Sequence, residues 1–419
     1  MKILKQHSIL YSSFLLVFLS IVAYKNNNNT KTSASAPKTE QLDSLFMAAV
    51  GNREIPGAVI LITKNQKEVF HKAYGFSDLE NKIQLKENAI FRLASMTKAL
   101  TAVAILQLNE KGLLNLNDEV STYIPEFKNP ELLVDVLADS TFTTTPAAGE
   151  ITIQQLLTHT SGIGYGFQDD RYNALVIKNK VSEGFCEDNR TSLENTKKIA
   201  KLPLLANPGK KNIYSMSYDV LGTLIEVISG LRYDTYITKH ILSPLEMNDS
   251  YFIIPASERN RLGEVYQPTS NSQNLMLTTY LDINYPIIED QHFFSGGADL
   301  SSTAEDYTKF MHMLIHKGRY KNNKILGEKQ VKRMLSKQTN FDDGDADQGF
   351  AAWVTNEKGA EKSPMGAGAY GFGGFFDTYS WTDTKKNFTA TLFLQMYPVN
   401  AHGIHEKYQQ VVYRIIDEL

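Results

Sequence analysis

Cysteine is all but absent from this chain: of 419 residues, only Cys186 carries a thiol. A single cysteine excludes an internal disulfide. Its neighbours Glu183, Glu187 and Asp188 are acidic, the opposite of the electropositive setting that makes a reactive thiolate, so Cys186 reads as incidental. An excess of one charge is also missing. The 43 Lys and Arg stand against 46 Asp and Glu, and no basic block interleaves with aromatics, which argues against nucleic acid as a partner. No His, Cys, Asp or Glu cluster has metal-ligand spacing, so neither a metal nor a cofactor is expected. Tryptophan is scarce at two residues, whereas Tyr and Phe number 21 each. Such rings suit a packed core as well as a wide substrate cleft. With 42% hydrophobic and 21% charged residues, the composition is that of a soluble globular protein, long enough for one large domain or two ordinary ones.

A span-length apolar run is missing too. Lys2, Lys5 and His7 form a basic start, followed by a mostly apolar stretch from Ile9 to Ala23. That is about 15 residues, where a membrane span needs about 20. Residues 1–25 therefore read as a signal peptide, with an uncleaved N-terminal anchor as the alternative. No cysteine lies near enough for a lipoprotein signal. The expectation is an exported chain, periplasmic or extracellular, with membrane anchoring left open. Residues 26–39 are rich in Asn, Thr, Ser, Ala and Lys and read as a disordered linker. Residues 40–419 show no second linker and no repeat, and should form one compact unit carrying a helical lobe.

Within that unit Leu42–Val50 looks helical. Ala58–Thr63 and Val69–Tyr74 read as strands joined by a polar turn at Lys64–Lys67. Apolar spacing predicts helices over Ser95–Lys111, from Ile151–Leu157 onward, over Val220–Ile228 and over Thr303–His316. Phe375–Thr382 and Phe388–Met396 alternate like an antiparallel pair turning at Asp383–Asn387. His405–Leu419 closes the chain as a helix. Strands at both ends with helices between them point to an α+β fold whose mostly antiparallel sheet is assembled from both termini.

The stretch Ser95-Met96-Thr97-Lys98 carries chemistry. A serine hydroxyl is a poor nucleophile until a neighbour takes its proton. A lysine three residues later on a helix lies on the same face, one turn along, with its amine in reach. At a helix start the Ser95 N–H is one of the unpaired amides, and the positive dipole end favours a developing anion. The pattern by itself is common, and a plain structural helix start explains it equally well. Ser35-Ala36-Pro37-Lys38 matches too, but it lies in the linker with a proline inside, where no helix presents it.

Residues 90–127, IFRLASMTKALTAVAILQLNEKGLLNLNDEVSTYIPEF, resemble the active-site region of the serine β-lactamase-related family of class C β-lactamases, D-alanyl-D-alanine peptidases and related carboxylesterases. Five further stretches agree in order: residues 151–163, 208–222, 242–252, 295–310 and 371–383. The resemblance covers residues 40–419. It implies a β-lactamase/transpeptidase-like fold, an antiparallel sheet flanked by helices plus a mostly helical lobe, with the cleft between them. It implies Ser95 as nucleophile and Lys98 as its proton-handling partner. The family's Tyr-x-Asn motif falls on Tyr214-Ser215-Met216, which makes Tyr214 the second proton-handling group. Met216 stands where an amide would hold an acylamino side chain. The family's Lys-Thr-Gly strand falls on Phe372-Gly373-Gly374, a substrate-lining edge without the lysine that would meet a carboxylate. The backbone N–H groups of Ser95 and Phe375 become the implied oxyanion hole. Both departures are similar to the carboxylesterase branch. The implied reaction is hydrolysis through a covalent acyl-enzyme of an ester, or of an amide such as a β-lactam or D-Ala peptide. The alternative is a non-catalytic ligand-binding protein on the same fold.

Three other motifs are set aside. Gly366-Ala367-Gly368-Ala369-Tyr370-Gly371 matches G-x-G-x-x-G, but a loop precedes it and a strand follows, the wrong frame for a dinucleotide. Asp342–Asp347 lacks the glycine and glutamate of a calcium loop and reads as a solvated loop. His159 is expected to be a hydrogen-bonded scaffold residue, because Ser-Lys-Tyr chemistry needs no histidine. The substrate is a small molecule in this reading, and the oligomeric state is not legible.

Overall fold

The computed structural model describes residues 38–419 apart from 138–140, 186–188, 270–273, 279–284, 289, 342–343 and 401. The expected targeting segment, nearly all of the expected linker, Cys186 and Asp342–Asp343 lie outside the described residues. Among those described, no helix is long and apolar enough to cross a membrane.

Helix α1 (Lys38–Gly51) leads into β1 (Gly57–Lys64), β2 (Lys67–Asp78) and the short β3 (Ile83–Gln84). The C-terminal part returns with β4 (Ala346–Gln348), β5 (Trp353–Thr355), β6 (Tyr370–Gly373), β7 (Thr378–Asp383) and β8 (Phe388–Phe393). Together they make one eight-stranded sheet in the order β4–β5–β6–β7–β8–β1–β2–β3, with antiparallel pairing. In its middle β8 lies beside β1, Val59 opposite Phe393 and Lys64 opposite Phe388. The two ends of the chain thus close one sheet, as expected. Among the described residues ten more helices follow α1: α2 (Thr97–Glu110), α3 (Ile153–Leu157), α4 (Asp170–Lys178), α5 (Ser192–Ile199), α6 (Ser217–Ser229), α7 (Tyr233–Ile237), α8 (Ala304–Ile315), α9 (Glu328–Met334), α10 (Glu357–Lys362) and α11 (Ile404–Glu418).

Alternation across the strands divides the core. Ile60, Ile62, Trp381 and Leu392 point to one face and pack with Leu42 and Phe46 of α1 and Tyr408 and Val412 of α11. Val59, Leu61 and Phe393 point to the other and join Phe310 and Leu314 of α8 with the helical lobe. Both faces are covered, which is why β1 reads as a continuous apolar run. Helix α2 runs through the middle of that lobe. It is buried on every side from Thr97 to Leu108, as a helix apolar all round must be. Truncating a core side chain there, such as Leu106→Ala, costs about 2–5 kcal/mol.

Boundaries differ from the sequence reading in informative places. Helix α2 starts at Thr97, and Ser95 sits in a preceding 3₁₀ turn, Ala94–Met96. Strand β7 starts at Thr378 because Gly374 to Asp377 form a turn, with the Asp377 N–H donating to the Gly374 carbonyl at 3.1 Å. Helix α1 begins at Lys38, inside the expected linker. The described part of the presumed solvated loop at Asp342–Asp347 runs into edge strand β4. The exposed hairpin Glu131–Val136 with Phe142–Pro146 was not foreseen.

Candidate active site

Ser95 is placed by a turn that backbone contacts hold on both sides. The Leu93 N–H donates to the Leu300 carbonyl at 2.9 Å, and the Met96 N–H returns to the Leu93 carbonyl at 3.2 Å. Between them Ala94 adopts φ 45°, a left-handed conformation that costs a non-glycine residue roughly 1–2 kcal/mol. The strain lies one residue before the hydroxyl. Across from it, a Cβ added to Gly374 would lie 2.2 Å from the Leu93 carbonyl oxygen and 2.3 Å from Thr378 Oγ1. Only glycine lets the β6–β7 turn close onto the nucleophile's turn. Phe375 follows immediately. Its ring stacks on Tyr397 at 4.6 Å between centroids and meets Phe376 edge-on at 5.2 Å. Ala94, Val265 and Phe376 form a small apolar cluster of their own, flanked by Phe185 and Phe375.

Three expected residues come together. Lys98 is the second residue of α2 and only 3% exposed. Its Nζ donates to Ser95 Oγ at 3.2 Å and to the Gly297 carbonyl at 2.8 Å. The Tyr214 hydroxyl donates to Ser95 Oγ at 2.5 Å. The Lys98 cation also lies 4.8 Å from the centre of the Tyr214 ring and 5.9 Å from those of Tyr165 and Tyr218. Tyr214 is fixed from behind. His159 packs on its ring at 4.6 Å and accepts the Ser215 N–H at Nδ1, 3.2 Å away. Burial, with the Lys98 cation adding to it, holds His159 well below the ordinary imidazole range. It is a neutral acceptor that holds the Tyr214 loop, the scaffold role expected for it.

Two expected substrate-lining side chains are not at the surface. Met216 is fully buried in the main core at the start of α6. It fills packing space in the main core. Phe372 is 2% exposed and packs edge-on against Tyr307 and Phe310 at 6.5 and 6.2 Å, because it alternates onto the helix-covered face of the sheet. Of that motif Gly373 is exposed and Gly374 makes the close approach.

Sequence reasoning passed over three carboxylates, of which Asp219 and Asp299 are buried and Glu183 is half-buried. Asp219 on α6 accepts the Ser295 hydroxyl at Oδ1, and Ser295 Oγ accepts the Gly297 N–H at 3.1 Å. Asp299 accepts the Ser295 N–H at 2.6 Å and the Tyr285 hydroxyl at 3.3 Å. Glu183 accepts the Gly166 N–H at 2.5 Å. Burial raises the Asp219 carboxyl above its ordinary range, opposed by the Ser295 bond and Lys98. Burial pushes Asp299 up to about 7, with the Ser295 amide opposing. Glu183 is pushed to about 7, again by burial, with the Gly166 amide opposing and the Asp219 charge adding. The available signal was an aspartate beside the apolar run of α6, a polar group that must be satisfied if buried.

The arrangement brings a phenol and an ammonium within hydrogen-bond reach of one serine hydroxyl, the grouping that activates a serine for acyl transfer. The family model for Beta-lactamase matches residues 42–412. An uncharacterised protein of Mycobacterium tuberculosis is 26% identical over 358 residues, 82% of this chain and 86% of that protein. Esterase EstB of Burkholderia gladioli is 32% identical over 225 residues, 54% of each chain. Among solved structures, EstCE1, described as a hydrolase with promiscuous acyltransferase activity, superposes with a TM-score of 0.75. It covers 90% of this chain and 98% of its own at 21% identity.

Proposed function

The chain belongs to the Beta-lactamase family of serine hydrolases, and from that premise we propose that it hydrolyses neutral, apolar esters through an acyl-enzyme on Ser95. The observation that carries this is the 2.5 Å contact from Tyr214 and the 3.2 Å contact from Lys98 onto Ser95 Oγ. In its phenolate form, which the Lys98 ammonium favours, Tyr214 takes the serine proton and becomes a phenol. Ser95 Oγ bonds to the substrate carbonyl carbon, and the amides of Ser95 and Phe375 hold the oxyanion. Collapse breaks the bond to the alcohol, which leaves with the proton from Tyr214. Water then releases the acid by the same steps in reverse order.

The preference for an ester over a β-lactam or D-Ala peptide rests on the ground beside Ser95. Phenylalanine occupies the position of the carboxylate-binding lysine, and the half-buried rings of Phe185, Phe375 and Tyr397 present apolar surface rather than a cation. EstB is an esterase and EstCE1 a hydrolase, which supports the same reading. Export, expected from residues 1–25, is part of the proposal, and cell fractionation checks it.

The test sets p-nitrophenyl esters beside a chromogenic cephalosporin, with wild-type protein and Ser95→Ala. Serine-dependent ester turnover at least about 100-fold faster than cephalosporin cleavage is expected, the scale that an unpaired buried carboxylate imposes. Equal or faster cephalosporin cleavage would overturn the ester preference. Ligand binding with no serine-dependent turnover would favour the non-catalytic alternative.

A further inference from the structure

Asp219 is a fully buried carboxylate that the acyl-transfer steps leave without a task. Its surroundings are specific. Oδ1 takes the Ser295 hydroxyl, Ser295 Oγ takes the Gly297 N–H at 3.1 Å, and the Gly297 carbonyl takes the Lys98 ammonium at 2.8 Å. The other oxygen, Oδ2, is buried without a hydrogen-bond partner. A Cβ on Gly297 would fall 3.2 Å from Lys98 Nζ and 3.5 Å from Asp219 Oδ2. The carboxylate and the ammonium therefore face one another across a residue that has no side chain to separate them. The Ser295 end is tied independently by its N–H to Asp299 at 2.6 Å. The turn from Ser295 to Gly297 thus presents one carbonyl to Lys98 and a second, that of Gly296, to the Thr101 hydroxyl at 2.6 Å.

We propose that Asp219 is a positioning residue for Lys98, acting through Ser295 and the Gly297 carbonyl and by its own charge. The proposal rests on the reading of Ser95, Lys98 and Tyr214 given above. An ammonium has three donors and a flexible four-carbon stem. With Ser95 Oγ and the Gly297 carbonyl taking two directions, the field of Asp219 holds the head against swinging away from Ser95. The other groups acting on Asp219 or sensing its charge are Glu183, Asp299 and Tyr233. None of them is a cation, so Lys98 is the counter-charge in that set.

The experiment uses the full chain with Asp219→Asn, which keeps the shape and removes the charge, and Ser295→Ala, which keeps the charge and cuts the link. The wild type and Ser95→Ala are measured first with a fluorophosphonate probe and a p-nitrophenyl ester. If Ser95→Ala still turns over, the nucleophile assignment fails, and that failure is separate from this one. With it standing, Asp219→Asn should lower kcat by about 10- to 100-fold, part of what a positioned proton-transfer pair supplies, and leave KM within about threefold. The alkaline limb of its kcat/KM profile should move to lower pH, because removing a neighbouring anion makes an ammonium easier to deprotonate. Ser295→Ala should lower kcat with little movement of that limb, and the double variant should fall short of the product of the two losses. A kcat within twofold of wild type in Asp219→Asn overturns the proposal. So does a loss of kcat with the limb unmoved, which is what a packing defect gives. If Asp219→Asn does not fold, a normal kcat in Ser295→Ala overturns it, and a lowered kcat with unchanged melting temperature upholds it.

Discussion

Tyr214→Phe tests the catalytic assignment with the smallest perturbation the site allows. One oxygen is removed, and the ring stays where it is. His159 packs on that ring at 4.6 Å and Tyr165 at 5.6 Å, and the Lys98 cation sits 4.8 Å from its centre, none of which needs the hydroxyl. Ser95 Oγ loses its 2.5 Å partner and keeps Lys98 at 3.2 Å. In stability this deletes one hydrogen bond at a half-buried position, about 1 kcal/mol against a typical total of 5–15 kcal/mol. In catalysis it deletes the group that accepts the serine proton and returns it to the alcohol, worth about 10²–10⁴ in rate, or roughly 3–5 kcal/mol of barrier. The expected outcome is a kcat/KM for p-nitrophenyl butyrate down about 10³-fold, with a melting temperature within about 2 °C of wild type. Thermal melts and stopped-flow acylation read both. A variant keeping more than a tenth of the wild-type kcat/KM would refute the reasoning, because the shortest contact on the nucleophile would then be dispensable.

Two further outcomes follow. Gly374→Ala should cost about 1–3 kcal/mol by overpacking and lower kcat/KM at least about 100-fold, because the new methyl meets the Leu93 backbone oxygen, which cannot rotate away. A kinetic and melting comparison checks this, and a variant active to within threefold contradicts the close approach. Stability should also fall as the pH rises from mildly acid to neutral. Asp299 and Glu183 have folded values raised to about 7 from 3.8 and 4.5, and a raised carboxyl contributes stability that is full below its unfolded value and lost as pH rises through the folded one. Between roughly pH 4 and 7 the fold should therefore lose part of its margin, and the melting temperature should be several degrees higher at pH 5 than at pH 8.5. A melting temperature that rises over that range would contradict the raised values of these two groups.

How far the sequence carried depends on distance along the chain. Ser95 and Lys98 share one helical face three residues apart, so periodicity alone places them together. Tyr214 donates to a serine 119 residues away, and nothing local to Tyr214 says so. Only the order of stretches resembling a known family put it in the site. Strand β1 was legible as a continuous apolar run, β7 and β8 as aromatic and β-branched stretches, and helices α6, α8 and α11 by their helical apolar periods. Strands β4 and β5 have three residues each, too short for a period to show. Met216 and Phe372 went wrong for one reason: a motif position says that a residue lies beside the site, and not which way its side chain turns. Met216 turns into the core under α6 and Phe372 into the aromatic layer against α8. Asp219 was in plain view within residues 208–222, but its partners Ser295 and Gly297 lie about 76 residues on, so its burial could not be inferred from helix α6 alone.

The site's own energetics bear on whether this fold catalyses or merely holds a ligand. Lys98 is an ammonium at 3% exposure, and taking such a charge out of water costs several kcal/mol, only partly returned by its partners. Ala94 holds a left-handed backbone one residue before Ser95, at roughly 1–2 kcal/mol. Asp219 Oδ2 is buried without a hydrogen-bond partner, at about 1–3 kcal/mol. All three costs fall within one helical turn of a single hydroxyl or directly beneath it, against a total margin of order 10 kcal/mol. A protein that only binds gains nothing from an ammonium aimed at a serine oxygen. A methionine at 98 and a leucine at 219 would leave the surrounding surface intact and the fold firmer. The cost makes sense where negative charge passes from Tyr214 to the substrate oxyanion during reaction, since a fixed cation and fixed amides then stabilise the transition state without reorganising. The destabilising features converge on one atom, Ser95 Oγ, and that convergence favours catalysis over binding.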